Sequence, residues 1–145
     1  VLPTLNGRIQ TRIALTLVVG GIWTLLIGPL LPVDAPVGGR YAAAFTVLVA
    51  LTVLGVGWEL LYHLVQQFRW EKDWPTLFGL ITVVPEALLL WWLIEAGTVP
   101  GLPDGVPLGA FLLHVLTTWI VVWLVANGPM RVPFVHWRFR GGRLI

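Results

Sequence analysis

Residues 41–64, YAAAFTVLVALTVLGVGWELLYHL, decide the fold. Across these 24 residues Glu59 is the one acidic side chain, His63 is the one imidazole, and lysine and arginine are absent. As a helix the stretch rises about 36 Å, enough to cross a hydrocarbon core about 30 Å thick. A run this long and this apolar reads as a transmembrane helix.

Working outward, residues 13–31, 77–94 and 108–126 repeat the pattern, so four spans fill most of the 145-residue chain. Gly28-Pro29 weakens the end of the first span, and Pro32 and Pro36 open a short loop. Asp73 followed by Pro75 reads as a helix start, and Asn127-Gly128-Pro129 as a helix stop. The composition agrees: 57% hydrophobic and 11% charged, with a mean hydropathy of +0.86, is far from soluble usage. The expected fold is a single all-α membrane domain, a polytopic four-transmembrane-helix bundle.

Arg8, Arg12, Arg69, Lys72, Arg131, Arg138, Arg140 and Arg143 fall on one side if the spans alternate, and Arg40 falls on the other. The positive-inside rule then puts both termini in the cytoplasm, with residues 129–145 as a basic aromatic tail. Arg8 and Arg12 precede a full-length apolar run with no small-x-small cleavage pattern after it, so the first span is expected to be a retained anchor.

Ionisable groups inside apolar spans cost several kcal/mol by the lower estimates, about 3 for an acid at the centre, and therefore face a bundle interior, a cavity or a partner. Thr52, Gly55, Glu59, His63 and Gln66 recur at three- and four-residue spacings, which places them on one helical stripe. Gly79, Thr82 and Glu86 do the same in the third span, and His114 precedes Thr117 and Thr118 in the fourth. Helical rise puts His63 roughly 5 Å, Glu59 roughly 10 Å, Glu86 roughly 16 Å and His114 roughly 20 Å from the cytoplasmic side. Two readings follow. Either the four form a proton or ion pathway, or they are packing groups, with Glu59 paired to His63, Glu86 neutral through burial and His114 bonded to a threonine or carbonyl.

Cysteine and serine are both absent, which removes disulfides, thiolate sites and the Ser-His-Asp and Cys-His forms of catalysis. A di-iron bundle needs two Glu-x-x-His pairs, whereas this chain has one Glu-x-x-x-His and a separate Glu86, so no metal is expected. His63 and His114 lie about 15 Å apart in depth, too far to clamp one haem between them; one histidine with a different ligand stays open. No cofactor is expected, and lipid contacts are.

The linker carries Arg69, Trp70, Lys72 and Trp74, a set suited to a membrane interface. In the tail, Val135, Trp137 and Phe139 alternate with His136, Arg138 and Arg140. Such a segment either anchors along the bilayer or docks on a partner, and it lacks any nucleic-acid module. Ala43, Thr46, Ala50 and Gly57 form a row of small residues that reads as a helix-packing seam.

In span number and composition the chain resembles small four-span membrane proteins of unknown function from GC-rich bacterial genomes. That resemblance implies a multi-pass protein of the bacterial inner membrane and transfers no site residue. The expected function is a non-enzymatic structural, accessory or assembly subunit of a membrane complex, in contact with lipids and with other subunits or copies of itself. The alternative is proton or ion coupling through Glu59, His63, Glu86 and His114.

Overall fold

A computed structural model describes residues 5–30, 36–68, 76–97, 99 and 106–128, except for the side chains of Val37, Thr76 and Phe78. Every regular element among them is helical: α1 Leu5–Ile27 with a 3-10 turn over Gly28–Leu30, α2 Val37–Gln67, α3 Thr76–Ile81, α4 Val83–Glu95 and α5 Leu108–Asn127. Three helices, Leu5–Leu30, Gly38–Gln67 and Leu108–Asn127, are long and apolar enough to cross a membrane. The all-helical expectation therefore holds, and the chain has the helices of a membrane protein.

The second helix, Val37–Gln67, extends beyond the expected 41–64 at both ends, and the first and third runs change more. The first helix begins at Leu5 rather than at residue 13, which brings Arg8 and Arg12 inside it. Hydropathy excludes arginines from a span, but Leu5 and Ile9 continue the apolar spacing while Arg8 and Arg12 turn inward together, four residues apart.

The third run is interrupted at Thr82, and α4 alone, at 13 residues, rises only about 20 Å. Pro85 explains the interruption. It lacks the N–H that the Ile81 carbonyl would accept in a continuous helix, and its ring crowds that carbonyl. Thr82 sits at φ −63° and ψ −11°, short of ordinary helical ψ, and the Glu86 N–H reaches the Thr82 carbonyl at a stretched 3.4 Å.

Helix α1 packs on α2 and α5, α2 also packs on α4, and both α3 and α4 lie against α5. Helices α1 and α2 run antiparallel, since Arg12 meets Glu59, Gly20 meets Leu48 and the Leu25 carbonyl accepts from the Tyr41 hydroxyl. Gly20 permits this approach: a Cβ there would stand 3.1 Å from Leu48 and 3.2 Å from Thr118, so one glycine lets α1 close on two neighbours.

The interior divides along its length. Val47 and Leu51 of α2, Leu90 and Ile94 of α4, and Phe111 and Val115 of α5 form an apolar core with Val99. Toward the Leu5 end of α1 and the Gln67 end of α2, the buried groups are instead Arg8, Arg12, Glu59, Tyr62, Gln66 and Glu86. The outer faces carry Val18, Leu26, Val53, Leu64, Leu88, Trp92 and Leu124, all exposed. Of the small-residue row, Ala43 and Ala50 pack against the apolar core, whereas Gly57 is exposed.

Candidate functional site

Arg12 is the centre of the polar half. Its Nε and Nη2 donate to Glu59 Oε1 at 3.1 and 2.9 Å, Nη2 also donates to Glu86 Oε2 at 2.9 Å, and Nη1 lies 2.7 Å from Glu86 Oε1. One planar guanidinium thus bridges carboxylates from two other helices. A lysine ammonium, a single point of charge, cannot match that fork. The Arg12 guanidinium also lies over the Trp119 ring at 4.9 Å, so α5 contributes the face that closes the cluster.

Arg8 stands one turn earlier. Its Nη1 reaches Glu59 Oε2 at 3.4 Å, while Nε and Nη2 both donate to Gln66 Oε1, the former at 3.1 Å. The Tyr62 hydroxyl donates to Glu86 Oε2 at 2.9 Å. Two cations and two anions are therefore buried together, with side-chain exposures of 6% for each arginine, 12% for Glu59 and 1% for Glu86. Charge balance matters at this burial, because an isolated charge in a low-dielectric interior costs far more than a paired and hydrogen-bonded one.

The interruption in the third run borders this cluster. The Gly79 carbonyl accepts from Trp119 Nε1 at 2.8 Å and from the Thr82 hydroxyl at 3.0 Å, while the Thr82 carbonyl lies 3.4 Å from the Tyr62 hydroxyl. An interrupted helix needs such partners wherever its backbone groups are kept from water. Glu86 follows in the first turn of α4, where the exposed N–H ends of the helix favour a carboxylate.

The four residues read from sequence as a ladder separate. Glu59 and Glu86, expected as separate rungs about 6 Å apart by helical rise, meet on one guanidinium. The expected Glu59–His63 pair is corrected: Glu59 is taken by Arg8 and Arg12, and His63 is half-buried with Nε2 3.4 Å from Gln67. Burial alone is likewise not the only influence on Glu86, which has a cation partner. The buried edge of α2 runs through Thr52, Glu59, Tyr62 and Gln66, one position away from His63.

His114 lies elsewhere. Its Nε2 is 2.9 Å from the Thr24 hydroxyl, which itself donates to the Gly20 carbonyl at 2.7 Å; in that arrangement Nε2–H is the donor to Thr24. Thr24 is twelve residues beyond Arg12 on α1, about 18 Å along the helix axis. Thr24→Val should therefore cost about 1 kcal/mol, the usual scale of an interhelical hydrogen bond in a membrane protein. His63→Ala should cost less, within about 0.5 kcal/mol, because its side-chain contact is a long 3.4 Å approach to the exposed Gln67. Unfolding by an SDS titration in mixed micelles checks both values, and equal losses would contradict the separate placement of the two histidines.

Arg69, Trp70, Lys72, Trp74, Trp137, Arg138, Phe139 and Arg140, the expected partner or membrane contacts, lie outside the described residues. Sequence reading placed Gln66 on the polar stripe but missed Arg8, Arg12, Tyr62 and Trp119 as members of the site. A usable signal existed for the arginines: two bases four residues apart can face Glu59 and Gln66, seven apart on an antiparallel neighbour. Comparison with known protein families, curated proteins and solved structures returns no match for this chain.

Proposed function

We propose that this chain is a non-enzymatic structural, accessory or assembly subunit of a membrane protein complex, built as a four-span bundle in the bacterial inner membrane with cytoplasmic termini. One observation carries the reading: Arg12 of α1 engages Glu59 of α2 and Glu86 of α4 at once. Buried charges so matched hold helices in one arrangement, the use for which such groups are best attested, at little gain in stability over apolar packing.

The four-span form is supported by the combined length of α3 and α4, which with Thr82 reach from 76 to 95, about 30 Å of helix. The orientation is supported by Arg69, Lys72, Arg131, Arg138, Arg140 and Arg143 against Arg40, even with Arg8 and Arg12 set aside as paired. The apolar outer helix faces suit lipid and subunit contact, and no cofactor, metal or nucleic acid is invoked.

Purification from native membranes in mild detergent is expected to bring down other subunits or a homo-oligomer, and reconstituted liposomes are expected to show no proton flux dependent on Glu86. A lone monomer would count against the reading. The alternative, proton or ion coupling through Glu59, His63, Glu86 and His114, draws on the position of Glu86 one turn past an interrupted helix. Flux above that of empty liposomes, abolished by Glu86→Gln, would establish that alternative and sink the structural reading.

A further inference from the structure

The interruption at Thr82 is held by side chains from outside its own helix. Trp119 of α5 donates to the Gly79 carbonyl, on the α3 side, while Tyr62 of α2 lies 3.4 Å from the Thr82 carbonyl, at the turn itself. A tyrosine has one hydroxyl hydrogen, yet here it faces two acceptors: the Thr82 carbonyl and, nearer at 2.9 Å, Glu86 Oε2. The hinge carbonyl and the ion-paired carboxylate therefore compete for the Tyr62 hydrogen, besides their bonds from the Glu86 N–H and from Arg12. Helix α3 is only six residues long and packs on α4 and α5, whereas α4 is tied to α1 and α2 through Glu86.

We infer that Thr82 is a hinge about which α3 moves relative to a fixed α4, and that Tyr62 is the latch coupling this movement to the Arg12–Glu86 pair. Pro85 keeps the hinge open to bending, because it removes the backbone bond that would stiffen it. When the Tyr62 hydrogen goes wholly to Glu86, the Thr82 carbonyl keeps only the stretched 3.4 Å bond from the Glu86 N–H among the described residues, and the turn yields so that α3 swings. Sharing it with Thr82 holds α3 in place.

The chain contains no cysteine, so introduced cysteines label cleanly. Leu17 on α1, Leu77 on α3 and Leu88 on α4 are exposed and serve as label sites. Spin-label distances are measured in the full chain in bilayer nanodiscs for two pairs, Leu17→Cys with Leu77→Cys and Leu17→Cys with Leu88→Cys. In the Tyr62→Phe background the pair reporting on α3 is expected to broaden or shift, while the pair reporting on α4 keeps the parent distribution. Pro85→Ala, which restores an N–H for the Ile81 carbonyl, is expected to narrow the α3 distribution. The hinge assignment is overturned if the α3 pair in Tyr62→Phe matches the parent, if both pairs broaden together, or if Pro85→Ala leaves the α3 pair unchanged.

Discussion

Arg12→Leu is expected to destabilise the folded chain by about 3–5 kcal/mol, the cost of removing one partner from a buried ion pair. Among the described residues, the substitution leaves Glu59 with the 3.4 Å contact to Arg8 as its only ion pair, and Glu86 with the Tyr62 hydroxyl as its only side-chain partner. Two buried carboxylates then face each other across the site their shared cation occupied. Replacing Arg12 and Glu86 together by leucine removes one charge of each sign and keeps the Arg8–Glu59 pair, so most of the loss should be recovered. A double-mutant cycle read by SDS-titration unfolding checks this, and simple addition of the two single losses would show that the residues do not act as a pair. Arg12→Lys should fall between parent and leucine, because an ammonium can serve one carboxylate well but not both.

Gly55→Ala should cost about 1–3 kcal/mol through overpacking rather than through charge. A Cβ at this position would stand 3.0 Å from Cδ, Nε and Nη1 of Arg12. A free arginine would yield easily, but this one is fastened to Glu59 on one side and Glu86 on the other. The alanine must therefore displace either the guanidinium from its carboxylates or α1 from α2. Combined with Arg12→Leu, the same alanine should cost much less, because the fastened group is gone. Gly57→Ala is the control: its Cβ meets nothing within 4 Å, so no loss is expected from crowding. Similar losses for Gly55→Ala with and without Arg12 would remove the guanidinium as the cause.

The helical class and the polar stripe on α2 were legible because each depends on spacing along one helix. Apolar runs near bilayer length predict helices, and three of them are long and apolar enough to cross a membrane. Thr52, Glu59 and Gln66 face inward as their spacing predicts, and Glu86 and His114 are buried. Pro85 was visible in the sequence as well, but its neighbours are apolar enough that 77–94 read as one run. The local backbone cost of a proline does not appear in a hydropathy window.

Pairing was much less legible, since it depends on where different helices come together. Arg8 and Arg12 look like flanking topology charges when each residue is scored by its own transfer cost, because an unpaired arginine belongs at the interface. Burial becomes affordable only where Glu59 and Glu86 are already in place to neutralise it. His63 shows the converse: it shares a stripe with Glu59 in spacing, yet the arginines of α1 take the carboxylate and leave the imidazole to Gln67.

By itself, then, the amino-acid sequence determined the helical class, that the long apolar runs suit a bilayer, and that a few ionisable groups must be shielded among them. Only the tertiary structure decided what shields them. Hydropathy and periodicity are properties of one helix, whereas compensation of a buried charge needs an opposite charge within a few ångströms. That proximity is created when α1, α2 and α4 converge on Arg12.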